Sequence, residues 1–178
     1  MKMRLLKAGL LLAVIVAHTG CGYSLAGRGS FLPAYIKRIG IPQFVNSTAL
    51  FDLDRLVSER VRTEFIGRGK YEIVPTASGV DAVLTGTVSS VTLTPVAFNT
   101  NQQATRYALT LTATVEFKDV RANKVLWTNP SMTYREEFPL DPTNALDTST
   151  FLGQNVNARD RMIDEFARSL VSAILEAF

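Results

Sequence analysis

Arg106–Lys118, RYALTLTATVEFK, is the stretch that decides how this chain folds. Tyr107, Leu109, Leu111, Ala113, Val115 and Phe117 fall on one parity; Arg106, Ala108, Thr110, Thr112, Thr114, Glu116 and Lys118 fall on the other. A period of two puts alternate side chains on opposite faces of a pleated strand. The segment therefore predicts a half-buried strand with one core face and one mostly polar face. Thirteen residues at about 3.4 Å each reach roughly 44 Å, long for a small domain.

Downstream, Val120–Asn123 is short enough for a hairpin into a strand over Lys124–Phe138, interrupted near Pro130. Upstream, Ala97–Thr105 (AFNTNQQAT) reads as a polar loop after a strand at Asp81–Thr94 (DAVLTGTVSSVTLT), rich in Val and Thr. The apolar positions of that strand change parity between Val88 and Val91, which predicts a bulge or twist near Ser89-Ser90.

Further out, Tyr35–Phe44 (YIKRIGIPQF) reads as a first strand limited by Pro42, and Asn46-Ser47-Thr48 offers helix-capping oxygens. Leu50, Leu53, Val57, Val61 and Phe65 recur at three and four, the stripe of an amphipathic helix stopped by Gly67 and Gly69. On its solvent face Arg55–Glu59 and Arg60–Glu64 are spaced to pair. A short strand follows at Tyr71–Val74, closed by Pro75. Leu140–Asn155 reads as irregular, and Val156, Ile163, Phe166, Ala167, Leu170 and Ile174 mark a last helix. The expected fold is α+β, a two-layer sandwich with both helices on one face of a four- to five-stranded mixed, mainly antiparallel sheet. The strand–helix–strand start makes part of that sheet parallel.

The first residues read differently. Lys2, Arg4 and Lys7 precede an apolar run, Ala8–Ala17, too short at ten residues to span a hydrocarbon core that needs about 20. Charged start, short apolar run and small residues form an export signal over 1–20. Thr19-Gly20-Cys21 matches the end of a lipoprotein signal box, with His18 where an aliphatic residue is usual. Cys21 is the only cysteine, so it has no internal disulfide partner. The expectation is an acylated Cys21, a Gly/Ser-containing tether over 21–34 and one domain over 35–178. Gly22, in place of the Asp that marks inner-membrane retention, favours the outer membrane.

Removing the leader takes three basic residues from 19 Lys+Arg, leaving 16 against 16 Asp+Glu. A near-neutral mature chain lacks the basic excess that neutralises phosphates along a nucleic acid, so no nucleic-acid partner is expected. The only histidine, His18, is in the leader, which excludes a His-based triad or a His/Cys zinc site in the mature chain. Glu136-Glu137 are adjacent in a strand and point to opposite faces, and Asp141 and Asp147 lie in the irregular segment. No enzyme, cofactor or metal is expected.

Cys21–Leu25 (CGYSL), the strand near Ile36–Ile41, Leu56–Val61 (LVSERV), Ala104–Phe117 (ATRYALTLTATVEF) and the helix from Asn157 together resemble the LptE family of lipopolysaccharide-assembly lipoproteins. The resemblance implies a non-enzymatic outer-membrane lipoprotein that plugs an LptD-type β-barrel, supports its assembly and binds lipopolysaccharide (LPS). It implies two helices on a mainly antiparallel sheet, and a lipid anchor placing the domain at the periplasmic mouth of the barrel. Arg106, Lys118 and Lys124 are the candidate LPS-binding cations; Thr110, Thr112, Thr114 and Phe98 are candidates to touch the barrel wall. The alternative is another envelope lipoprotein of similar fold, a cell-wall synthase activator or a curli-type secretion component, families that share a segment like Ala82–Val88 (AVLTGTV).

Overall fold

The alternation at Arg106–Lys118 is realised in a strand that runs between two others of almost equal length. The computed structural model describes residues 32–68, 70–139 and 147–177. The export signal, Cys21 and Asp141 lie outside the described residues. In chain order the elements are β1 (Arg38–Gly40), β2 (Val45–Asn46), α1 (Leu53–Gly67), β3 (Glu72–Val74), β4 (Ala82–Phe98), β5 (Ala104–Asp119), β6 (Lys124–Pro139), α2 (Thr148–Gln154) and α3 (Val156–Leu175). The sheet order is β3-β1-β4-β5-β6, with β2 beside β4 further along the edge that β1 occupies. Strands β4, β5 and β6 form an antiparallel meander. Strands β1 and β3 pair in parallel, and β1 and β2 pair in parallel with β4. The mixed α+β sandwich is thus as expected.

The core face follows from the register. Leu84 faces Phe117, Val88 faces Ala113 and Val91 faces Leu111. The parity change expected at Ser89-Ser90 is a register shift between Val88 and Ser90. One extra residue there keeps both halves of β4 turned toward the same core. Leu53, Val57, Val61 and Phe65 of α1 and Met162, Phe166, Leu170 and Ile174 of α3 are buried against Leu84, Leu109, Leu111, Val115 and Phe117. Each such side chain contributes about 1.5–3 kcal/mol relative to exposure. Arg60 pairs with Asp164 across the two helices at 3.0 Å. The expected Arg60–Glu64 pair is therefore replaced: Glu64 takes Arg68 at 2.8 Å, while Arg55–Glu59 forms as expected at 2.9 Å.

Three local expectations are corrected. The first strand is broken in two, because Pro42 has no N–H to give a ladder and Phe44 turns inward over Gly86. Asn46-Ser47-Thr48 does not cap α1. Asn46 belongs to β2, where its Oδ1 accepts from the Thr48 N–H at 2.9 Å and its Nδ2 donates to the Leu50 carbonyl at 2.7 Å. Helix α1 starts later, after Asp52 in left-handed backbone (φ 63°). Finally, part of the segment read as irregular is α2, whose cap is Asp147 accepting from the N–H groups of Ser149 and Thr150 at 3.0 and 3.1 Å. That cap, with the hydroxyls of Ser149 and Thr150 also donating to its carboxylate, is an N-terminal signal legible in Asp147-Thr148-Ser149-Thr150.

Candidate functional site

With both long helices on one face, the other face of the meander is open. Its rows come from the strand register. Thr85 stands opposite Glu116, Thr87 opposite Thr114, Ser90 opposite Thr112 and Thr92 opposite Thr110; Thr112 in turn faces Thr133. All these hydroxyl side chains are exposed or half-buried. Thr114 donates to the Pro130 carbonyl at 2.8 Å. The result is a broad hydroxyl surface with few charges. Polar but uncharged groups lose far less than ions when a partner displaces their water.

The distal end of this surface, near the β4–β5 hairpin, carries two guanidinium groups. Arg106 Nη1 lies 3.6 Å from one oxygen of Glu137, and Arg135 Nη2 lies 3.4 Å from the other. Two cations therefore share one carboxylate, leaving a net positive charge beside Thr94, Thr110 and Thr92. All three charged side chains are exposed, so the pairs are weak and open to exchange for another anion. Guanidinium forks match phosphate oxygens in geometry. Arg135 was not singled out from sequence; the irregular register of β6 between Asn129 and Met132 hides which face it occupies. The hairpin itself exposes Phe98 (61%) and Val96 (37%), and from Val96 to Thr105 it carries no charge.

The other two candidate cations are at the opposite end. Lys118 pairs in register with Val83 and Val125, and Lys124 with Asp119. Twelve residues of one strand separate Arg106 from Lys118, about 40 Å, so Arg106 does not share a site with the two lysines. At the lysine end two buried carboxylates tie the chain together. Asp81 Oδ2 accepts from the backbone N–H groups of Lys37 and Arg38, both at 3.0 Å, and Oδ1 pairs with Arg121 at 2.5 Å. Asp119 accepts from the Tyr35 hydroxyl and, through Oδ1, from the Ala122 N–H at 2.9 Å. The Arg121 guanidinium lies 5.6 Å from the centre of the Tyr35 ring.

These contacts set the electrostatics. The two backbone N–H donors, with Arg121 alongside, hold Asp81 below the usual carboxylate range. The Tyr35 hydroxyl and the Ala122 N–H do the same for Asp119, and the bonded carboxylate pushes Tyr35 up. Both buried carboxylates thus have a donor at each oxygen and are ionised at neutral pH. Glu136 and Glu137 point to opposite faces as expected, Glu136 being held by Tyr134 and Arg161 at 2.8 Å each. No group of three metal-ligating side chains occurs among the described residues, nor any helix long and apolar enough to cross a membrane.

The sequence pattern of the LptE lipopolysaccharide-assembly family matches residues 36–174, from before β1 to the last turn of α3. The chain belongs to the LptE family. No curated relative of this LptE-family chain matches at significant similarity. Among solved structures its fold is similar to that of a hypothetical protein of Chlamydia trachomatis, with 13% identity and a TM-score of 0.54 over 79% of this chain and 96% of that one. An uncharacterised lipoprotein B of Nitrosomonas europaea is similar at 14% identity and TM-score 0.51, over 87% of this chain and 88% of that one. A minor lipoprotein of Acinetobacter baumannii is similar at 17% identity and TM-score 0.50, over 80% and 93%. At these identities the likeness is one of fold.

Proposed function

We propose that this LptE-family chain is an outer-membrane lipoprotein, anchored through Cys21, that sits within an LptD-type β-barrel and assists transport of LPS to the outer leaflet. The observation that carries the reading is the threonine face on a long meander. Strands of 16 and 17 residues reach about 54 Å, enough to pass the roughly 40–45 Å of a bilayer with its headgroups. A barrel lumen is polar, so a plug must present hydroxyls rather than an apolar surface, and few charges that would lose hydration. Thr110, Thr112 and Thr114 supply that surface, and Phe98 at the hairpin tip supplies an apolar contact.

Within this reading Arg106, joined by Arg135, binds an LPS phosphate at the end of the sheet remote from the anchor. The role is binding and scaffolding without catalysis or a cofactor. Purification of the tagged lipoprotein from outer membranes tests it. Stoichiometric co-elution of an LptD-type barrel is the expected result, and loss of surface LPS should follow depletion. Co-elution of a cell-wall synthase, or of a curli-type secretion complex, with no barrel would replace this reading by another envelope role.

A further inference from the structure

The ion pairs of this protein are distributed unevenly, and the exceptions cluster. Among the described residues ten arginines pair with a carboxylate within 4 Å, and Arg62 donates to the Ile41 carbonyl. Lys37, Lys118 and Lys124 have no such partner there. All three lie at the same end of the sheet: the Lys37 N–H is bonded to Asp81, Lys118 stands opposite Val83, and Lys124 stands opposite Asp119. Three carboxylates at this end are engaged elsewhere, Glu72 with Arg38, Asp81 with Arg121 and Asp119 with Tyr35. Glu116 faces Thr85 and Thr128.

This is also the end at which the segment before β1 is held. The bonds from Tyr35 to Asp119 and from Lys37 and Arg38 to Asp81 pin residues 35–38 against the β5–β6 hairpin and the start of β4. From Tyr35 to Cys21 the covalent path is at most about 50 Å, shorter than the meander is long. An acyl anchor at Cys21 therefore joins the domain from the lysine end, with Arg106 about 40 Å farther along the sheet.

We propose that Lys37, Lys118 and Lys124 form a docking surface for the anionic phospholipid headgroups of the leaflet that holds the anchor. The inference rests on the reading of Cys21 as lipid-modified and is separate from the LPS role of Arg106. Lysines can serve here because each is a compact charge on a long flexible stem, and headgroup phosphates are mobile and need no fixed fork. The attraction holds the long axis of the sheet upright over the membrane, which one lipid anchor alone does not.

The test uses the acylated protein in nanodiscs of phosphatidylglycerol with phosphatidylcholine, compared with phosphatidylcholine alone. The readout is the acetylation rate of each lysine amine by a water-soluble reagent, followed by mass spectrometry. The expected result is about five-fold slower modification of all three lysines in the anionic discs, abolished by high salt. Equal rates in the two bilayers overturn the docking surface, as does protection that appears only when LPS replaces phosphatidylglycerol. A chain that does not enter either disc overturns the anchor, and the docking surface with it, while equal rates in loaded discs leave the anchor standing.

Discussion

Asp119 and Tyr35 are joined by a hydrogen bond from the Tyr35 hydroxyl across 84 positions of sequence. The carboxylate is buried (1% exposed) and its other oxygen accepts from the Ala122 N–H. The bond ties the segment before β1 to the β5–β6 hairpin, at the end of the sheet from which the proposed tether leaves. Asp119→Ala should cost about 1–3 kcal/mol, because two donors lose their acceptor; Tyr35→Phe should lower stability by less. Urea unfolding checks both, and an unchanged midpoint for Asp119→Ala would remove the clamp from the account of stability.

Acid should loosen the same clamp. Asp81 and Asp119 are both depressed in the folded chain, so below the ordinary carboxylate pKa the unfolded chain binds more protons than the folded one. Their stabilisation is fully present above about pH 4, the unfolded value, and is lost as pH falls through the folded values. The melting temperature should stay flat from neutral pH to about 5 and decline below about 4. An Asp81→Asn, Asp119→Asn double variant should be less stable at neutral pH and decline less steeply in acid.

Gly86 is occupied from above by the Phe44 ring, so a Cβ there meets ring atoms inside contact distance. Gly86→Val should destabilise by about 1–3 kcal/mol through overpacking. Combining it with Phe44→Leu should recover part of the loss, a coupling that a double-mutant cycle measures.

Ser58 is fully buried on α1; its Oγ accepts from the Phe44 N–H at 2.8 Å and donates to the Asp54 carbonyl at 2.5 Å. Ser58→Ala leaves the Phe44 N–H without an acceptor, at a cost of about 1–3 kcal/mol. Hydrogen exchange at that amide should accelerate by the same free energy, with the fold otherwise retained.

Arg106→Gln with Arg135→Gln should weaken LPS binding about ten-fold, the scale of a charged hydrogen bond. Stability should stay within about 0.5 kcal/mol, since both side chains are exposed. Calorimetric titration with LPS separates this from misfolding. Undiminished binding by the folded double variant would place the LPS site elsewhere.

Much of the fold was legible in the sequence where the signal was local. The period of two in Arg106–Lys118 defined both faces of β5, and the parity change at Ser89-Ser90 marked the bulge. The stripes of α1 and α3 were read correctly for the same reason. The start of α1 was not: Asn46-Ser47-Thr48 offered capping oxygens, but pairing of Asn46 with Val88 took the first of them into β2. Of the proposed site, the threonine face was visible as alternation, but Arg135 was not, because its face depends on how β6 recovers register after Pro130.

What this sequence determined by itself is the identity of each face and the presence of each long element, because side-chain period and turn chemistry act over a few residues. The tertiary structure alone decided which charges share an end. Arg106 and Lys118 belong to one uninterrupted strand yet stand about 40 Å apart. Lys37, Lys118 and Lys124 are scattered in sequence yet meet at one sheet end, beside Asp81, Asp119 and Tyr35. The physical reason is register: strand order and pairing are set by the burial of the whole core between sheet and helices. A polar residue on the surface is carried to wherever that packing places its backbone.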